Sequence, residues 1–433
     1  MAKLQGYSKN QILDLYRKMF TSRKLDEKML ILLKQGKSFF HIGASGHEAA
    51  QLAAANLMKP NQDWSFPYYR DGAFCIGIGM TPKEQLLSFL ARANDPNSGG
   101  RQMPQHYGHK KLRIVSQSSP TGTQFLQAVG CALARKMSKT DDIVYVSSGE
   151  GTTSQGDFHE AINWASNAKA PVIFHIQDNE YAISTHRSDQ MADTVYAMTS
   201  GYKNLARYNV DGSDYFETSL AFKESFQRAR RGKGPSVVIS NVVRLLPHSS
   251  SDDQRKYRLE KALKEDLKKD PLKRLEEECL KANFIATKEF EKIRNAVSSQ
   301  IDIDAEWAEA QHHPDPDTAL DHIYSDSTFP KEKEFKSISK QIVIVDAINH
   351  ALHEEMTLNK KMVIYGQDIA DPKGGVFTAT KGLSEKFGSK RVFNSPLAES
   401  SIVGTAIGMA IAGYKPVIEI QFGDYIWTAM MQI

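Results

Sequence analysis

A carboxylate, a side-chain amide and a backbone carbonyl are brought close together in the stretch 149–181. The apolar run Ile143-Val144-Tyr145-Val146 reads as a strand that delivers Gly149-Glu150-Gly151 at its tip. A helical stretch follows. Val172-Ile173-Phe174-His175-Ile176 then reads as a second strand, ending at Asp178-Asn179-Glu180-Tyr181. One strand–helix–strand unit takes roughly 30 residues, so two parallel strand tips lie side by side. Glu150 then faces Asn179 and the Tyr181 carbonyl. Such oxygens suit a hard divalent cation, which fills its remaining positions with phosphate oxygens. Gly149 and Gly151 let the backbone approach a diphosphate closely, and the following helix offers it N–H groups.

The elements that must position these groups are legible as well. Residues 141–246 alternate strands and helices, the pattern of an α/β fold with a doubly wound parallel sheet. Ligands of such sheets bind beyond the carboxyl ends of the strands, where Glu150 and Asn179 fall. Upstream, Ser8-x-x-Gln11 is a capping box, and Ile12, Leu15, Tyr16 and Met19 share one helix face. From about 255 to 295 the text is densely charged. It reads as solvated helices with Glu–Lys pairs, broken at Asp270-Pro271. His312-His313-Pro314 reads as polar linker rather than metal site. Residues 325–340, polar and carrying Pro330, divide a first domain (1–324) from a second (341–433). The second repeats the α/β pattern: a helix ending near Met356, a strand at 362–365, a helix at 400–412 with small residues Gly404 and Gly408, and a strand at 416–420.

Gly149-Glu150-Gly151 and, after twenty-six residues, Asp178-Asn179 resemble the thiamine-diphosphate motif of 2-oxo acid dehydrogenase α subunits. The text from Gly149 to Thr185 extends the likeness. Glu150 stands where most members have Asp, as in the branched-chain members; Asp178 replaces an Asn and Glu180 a Gly. The second domain resembles the start of the β subunit, in GQDIADPKGGVF, RVFNSPLAES and EIQFGDYIWTAMMQI. The chain therefore resembles an α subunit fused to a β subunit that stops inside its pyrimidine-binding domain, giving two thiamine-diphosphate-type domains, the second incomplete.

This resemblance implies roles. Thiamine diphosphate and magnesium would be bound, the metal by Glu150, Asn179 and the Tyr181 carbonyl. Tyr69 and Arg70 match the Tyr-Arg that contacts diphosphate and pyrimidine, and Thr121 matches a residue beneath the cofactor. Gln177 stands where branched-chain members carry an Arg, so the anchor is expected to lack one cation. Glu399, in Pro396-Leu397-Ala398-Glu399, matches the acid that meets the pyrimidine nitrogen, a role needing a raised pKa. Gln421 and Tyr425 match positions lining the same pocket. His248, in Pro247-His248-Ser249-Ser250-Ser251-Asp252-Asp253, matches the His that handles the intermediate and the lipoyl group. His41 is a further candidate for the pocket. Ser118, Thr123 and Gln124 match oxygens that bind potassium; the same groups could simply cap the helix that follows. Glu150 and Glu399 are expected to grip opposite ends of one cofactor, within a chain or across two.

Composition sets the bounds. With 55 basic and 51 acidic residues the net charge is +4, too small to argue for nucleic acid or membrane binding. Three scattered cysteines, Cys75, Cys131 and Cys279, argue for a reducing compartment. With no secretion or transit pattern at the start, the expectation is a cytoplasmic bacterial protein, unless a presequence has been removed. The reading is an enzyme that oxidatively decarboxylates branched-chain 2-oxo acids. The resemblance implies acyl transfer to a lipoylated dihydrolipoyl acyltransferase and a homodimer equivalent to α2β2. A pyruvate or acetoin dehydrogenase of the same family, or a non-catalytic cofactor-binding fragment, are the alternatives.

Overall fold

The computed structural model describes Leu4 and residues 6–324 and 341–433; the expected linker, 325–340, lies outside the described residues. The chain divides into two compact units, Met1–His313 and Pro314–Ile433.

In the first unit a parallel sheet forms from β1 (Trp64–Phe66), β2 (Val144–Gly149), β3 (Val172–Asp178), β6 (Ala206–Asp211) and β7 (Ser236–Asn241), in the order β1-β2-β3-β7-β6. A short antiparallel hairpin, β4 (Tyr181–Ala182) and β5 (Thr185–His186), follows β3. β3 is buried along its whole length and β2 nearly so. Strands covered on both faces need apolar side chains in both directions, which is why they read as unbroken apolar runs. The register pairs Gly149 with Gln177 and Asp178 with Asn241, so β2, β3 and β7 finish level. Their carboxyl ends therefore present residues 149–151, 178–181 and 241–244 together.

The crossover from β2 to β3 differs in one detail from expectation. A tight 3-10 turn, Glu150–Ser154, precedes the helix Gly156–Ala168. A Cβ on Gly151 would stand 2.6 Å from the Ala182 Cβ. Gly151 thus lets the turn press directly onto the hairpin, in addition to any ligand it admits.

The capping box closes as expected, Ser8 accepting from Gln11 N, and the helix Lys9–Lys34 buries Ile12, Leu15, Tyr16 and Met19. The charged stretch is only partly solvated. The helix Glu260–Asp266 buries nothing, but Pro271–Lys281 buries Leu272, Leu275 and Cys279. Asp270 caps it through Leu272 N at 3.0 Å and pairs with Arg23 at 3.1 Å. Dense charge hid a narrow apolar stripe at helical spacing. His312-His313 is not free linker either. Ala93 N donates to the His312 carbonyl at 3.0 Å, and Arg92 Nη1 to His313 Nε2 at 2.6 Å.

In the second unit β8 (Met362–Gly366), β9 (Val392–Asn394) and β10 (Lys415–Glu419) form a parallel sheet in the order β10-β8-β9. Met356, Met362, Ile364, Ile369, Leu383 and Val392 make its core. The helix Glu399–Ile411 starts at Glu399 itself and buries Gly404, Thr405 and Gly408.

Candidate active site

A cavity of about 410 Å³ opens beyond the carboxyl ends of β2 and β3. Tyr69, Arg70, Thr121, Gly149, Glu150, Gly151, Asn179, Tyr181 and His248 all line it, so nine sequence-derived candidates meet in one place. Glu150 sits on the first residue of the turn after β2 and is 1% exposed. Its Oε2 accepts from Asn179 N–H at 3.2 Å, while its buried Oε1 has no hydrogen-bond partner among the described residues. Asn179 Oδ1 accepts from Tyr181 N at 3.2 Å, forming a turn that aims the loop at Glu150. An uncompensated buried carboxylate is costly. Burial, and after it the charge of Asp178, push Glu150 up to about 7. A cation at Oε1 would relieve that cost. Among the described residues no three His, Cys, Asp or Glu side chains converge on a metal position. The donor set here is one carboxylate, one amide and one carbonyl, which fits a cation that takes its remaining oxygens from a ligand.

Two buried guanidiniums lie beside this carboxylate. Arg70 donates through Nη1 to the Gly43 carbonyl at 2.7 Å and through Nη2 to the His248 carbonyl at 3.3 Å. Arg244 donates to the Tyr181 carbonyl at 3.4 Å and the Ile183 carbonyl at 3.1 Å. The Nε of each is buried with no hydrogen-bond partner among the described residues. Burial first, and Arg70 next, lower the pKa of Arg244. Two like charges held by carbonyls leave positive potential for an anion. Arg244 was missed in the sequence, although it precedes His248 by four residues on the segment leaving β7. Gln177, expected to mark a missing cation, faces away from the cavity. It donates to Asp71 Oδ1 at 2.6 Å and accepts from Gln51 at 2.9 Å. His47 Nδ1 lies 2.8 Å from the same Gln177 oxygen. This buried network floors the site, and burial pushes Asp71 up to about 7.

The His248 loop is tied down from both ends. His248 N donates to Asp252 Oδ2 at 2.8 Å, and Tyr257 OH donates to the same oxygen at 2.5 Å. Arg244 Nη2 donates to Tyr257 OH at 2.6 Å. Ser250 N donates to the His41 carbonyl at 2.8 Å. Burial, then Arg70 and Arg244, hold His248 down to about 3, so its ring is neutral near pH 7. Phe40 and Ile42 line the cavity, while the His41 ring between them turns to Asp26, 3.3 Å away. His41 therefore does not face the pocket.

The 118–124 turn borders the same cavity through Ser119 and Thr121, while Thr123 and Gln124 do not line it. Thr123 Oγ1 donates to the Pro120 carbonyl at 2.8 Å. Gln124 accepts from Gly122 N at 3.1 Å and donates to the Ser147 carbonyl at 3.1 Å. In the second unit Glu399 Oε1 accepts from Gln367 Nε2 at 3.0 Å and Oε2 from Thr428 Oγ1 at 3.1 Å. Gln421 donates to the Gln367 carbonyl at 3.3 Å and Asp368 Oδ2 at 2.8 Å, in the same neighbourhood. The Tyr425 carbonyl lies 2.8 Å from the same Thr428 Oγ1 and competes with Glu399 for its single proton; the Tyr425 ring is partly exposed, against Phe422.

Residues 16–317 match the family model described as "Dehydrogenase E1 component", and residues 340–433 the one described as "Transketolase, pyrimidine binding domain". The chain is 40% identical over 321 residues to 2-oxoisovalerate dehydrogenase subunit alpha of Bacillus subtilis (strain 168), covering 74% of this chain and 97% of that protein. It is 31% identical over 339 residues to the mitochondrial 2-oxoisovalerate dehydrogenase subunit alpha of Homo sapiens, covering 77% of this chain and 75% of that protein. It is 35% identical over 265 residues to the pyruvate dehydrogenase E1 component subunit alpha of Staphylococcus aureus (strain Mu50 / ATCC 700699), covering 61% and 69%.

Proposed function

We propose that this chain, which belongs to the dehydrogenase E1 component family, oxidatively decarboxylates branched-chain 2-oxo acids on thiamine diphosphate and hands the acyl group to the lipoyl group of a dihydrolipoyl acyltransferase. The observation that carries this reading is the orphaned Glu150 Oε1, on the carboxylate whose other oxygen accepts from Asn179 N, beside two arginines that pair with no carboxylate among the described residues. Glu150, Asn179 and the Tyr181 carbonyl would hold magnesium; Arg70 and Arg244 would take diphosphate oxygens, with Tyr69, Thr121, Gly149 and Gly151 around them. When bound, the cofactor would supply the nucleophilic carbon and the electron sink that decarboxylation of a 2-oxo acid needs. Glu399 would hold a proton at the pyrimidine nitrogen, with Gln421 and Tyr425 shaping that pocket. His248, kept neutral, would donate or accept a proton at an imidazole nitrogen. Phe40, Ile42, Met103 and Ile183 give the cavity an apolar wall that suits a branched aliphatic chain.

Uncharged oxygens of Ser118, Thr123 and Gln124 would take potassium. Gln124 Oε1 has the capacity for it, since an amide oxygen can accept two bonds and one comes from Gly122. A homodimer equivalent to α2β2 and a cytoplasmic setting complete the reading; three free, buried cysteines are consistent with a reducing compartment. No helix among the described residues is long and apolar enough to cross a membrane.

The test is decarboxylation of 2-oxoisovalerate against pyruvate with an artificial electron acceptor, magnesium and cofactor. Preference for pyruvate would overturn the branched-chain assignment. Turnover of neither acid, with cofactor still bound, would leave a cofactor-binding fragment instead.

A further inference from the structure

We propose that Arg187 is a positioning residue that holds the Asn179 loop in its cation-accepting shape, an inference that rests on the functional reading above. The loop is a partition between two spaces. On one side Asn179 and Tyr181 line the candidate active site. On the other, Asp178, Asn179 and Glu180 line a second cleft of about 620 Å³, bounded also by Asp211, Asn241 and Lys269. Asp178 and Asn179 are buried, but Glu180 stands exposed at the corner of the loop, where few dispersion contacts hold it. Its backbone is unfavourable too: Glu180 has φ +72°, in the left-handed region that side chains other than Gly, Asn and Asp seldom adopt.

Specific bonds must therefore hold this exposed corner. The β4–β5 hairpin reverses the chain and returns Arg187 to the loop. Arg187 N donates to the Glu180 carbonyl at 2.9 Å. Its guanidinium donates through Nη1 to Asp178 Oδ2 at 2.8 Å, and Nη2 lies 3.3 Å from Glu180 Oε1. Asp178 Oδ1 in turn accepts from Glu180 N at 3.0 Å. One side chain thus fastens both neighbours of Asn179. Arg187 lines the second cleft and not the first, so it touches the site through the loop, its charge also being felt at Glu150 more weakly than at Asp178 and Glu180. Removing a group that orients a metal ligand typically costs about 10–100-fold in metal affinity or activity; because Arg187 does not line the active-site cavity, the loss here should fall on cation affinity.

The experiment is a magnesium titration of thiamine diphosphate uptake by the full chain, followed by calorimetry, for native protein, Arg187→Gln and Arg187→Lys. For R187Q the magnesium needed for half-maximal uptake should rise about tenfold, while kcat at saturating magnesium and cofactor stays near native. R187K should recover part of the loss, because it restores the charge without the two-pronged grip. In an Asp178→Asn background the same R187Q change should matter much less, since one prong has already lost its charged partner. Superimposable magnesium curves for native and R187Q overturn the inference. So does a fall in kcat with unchanged magnesium dependence, which is the signature of a merely structural role. Should R187Q unfold, the comparison of R187K with native decides on the same criterion. Absence of magnesium-dependent uptake in the native chain overturns the functional reading, and this inference with it.

Discussion

Lowering the pH from 8 to 6 should weaken magnesium-dependent cofactor uptake about tenfold through Glu150 alone. Burial and the neighbouring Asp178 charge push this carboxyl up to about 7. A metal ligand must be ionised to bind. With a midpoint near 7, the ionised fraction falls from about nine-tenths at pH 8 to about one-tenth at pH 6, a loss on the order of 1.4 kcal/mol in apparent affinity. An ordinary Glu, titrating near about 4.3, would stay ionised throughout and give no slope. His248, held down to about 3, stays neutral over the whole range and adds nothing. The phosphate of the cofactor itself titrates near about pH 6, so the native curve must be read against Glu150→Gln, whose carboxamide cannot ionise. The assay is calorimetric titration of thiamine diphosphate at several magnesium concentrations and three pH values. The native slope should exceed that of E150Q by about one decade over the range, and Asp178→Asn should move the native midpoint down, because Asp178 is the second cause of the shift. Equal slopes for native and E150Q would refute the assignment of Glu150 as the titrating ligand.

Asn179→Ala should raise the magnesium requirement for uptake, since it removes the amide that shapes the 179–181 turn; an unchanged requirement would count against the metal assignment. Glu399→Gln should cut turnover by about 100-fold or more, the usual worth of a positioned acid–base group, with uptake measured by calorimetry largely retained. Native rates in E399Q would remove its catalytic role. Tyr257→Phe deletes a donor to Asp252 and an acceptor for Arg244. It should cost about 1–3 kcal/mol locally, seen as faster proteolysis within residues 248–252 while the chemical-denaturation midpoint moves little.

Local chemistry was readable wherever neighbours in sequence are neighbours in space. The capping box at Ser8, the buried strand runs and the meeting of Glu150 with Asn179 each depend on a single turn or one strand–helix–strand unit. The α-subunit-like resemblance holds, with family matches across residues 16–317. Arg244 escaped notice because nothing near it in the text says that β7 will finish beside β3. What Gln177 does was hidden for the same reason: the side chain drops into a buried polar network with Asp71, Gln51 and His47, and Arg244 comes from another strand end. His41 stood between two true lining residues and still turned away.

Residue types and spacing by themselves determined which groups can do chemistry here, and the fold class that carries them, because those depend on short-range periodicity and on glycine, capping and strand signals. Only the tertiary structure decided which charges are paired and how: Glu150 Oε1 orphaned among the described residues, Arg70 and Arg244 held by carbonyls, Arg187 bridging Asp178 and Glu180. Electrostatic pairing in a buried site depends on which distant segments converge and on how much water they exclude, and neither quantity is written along the chain.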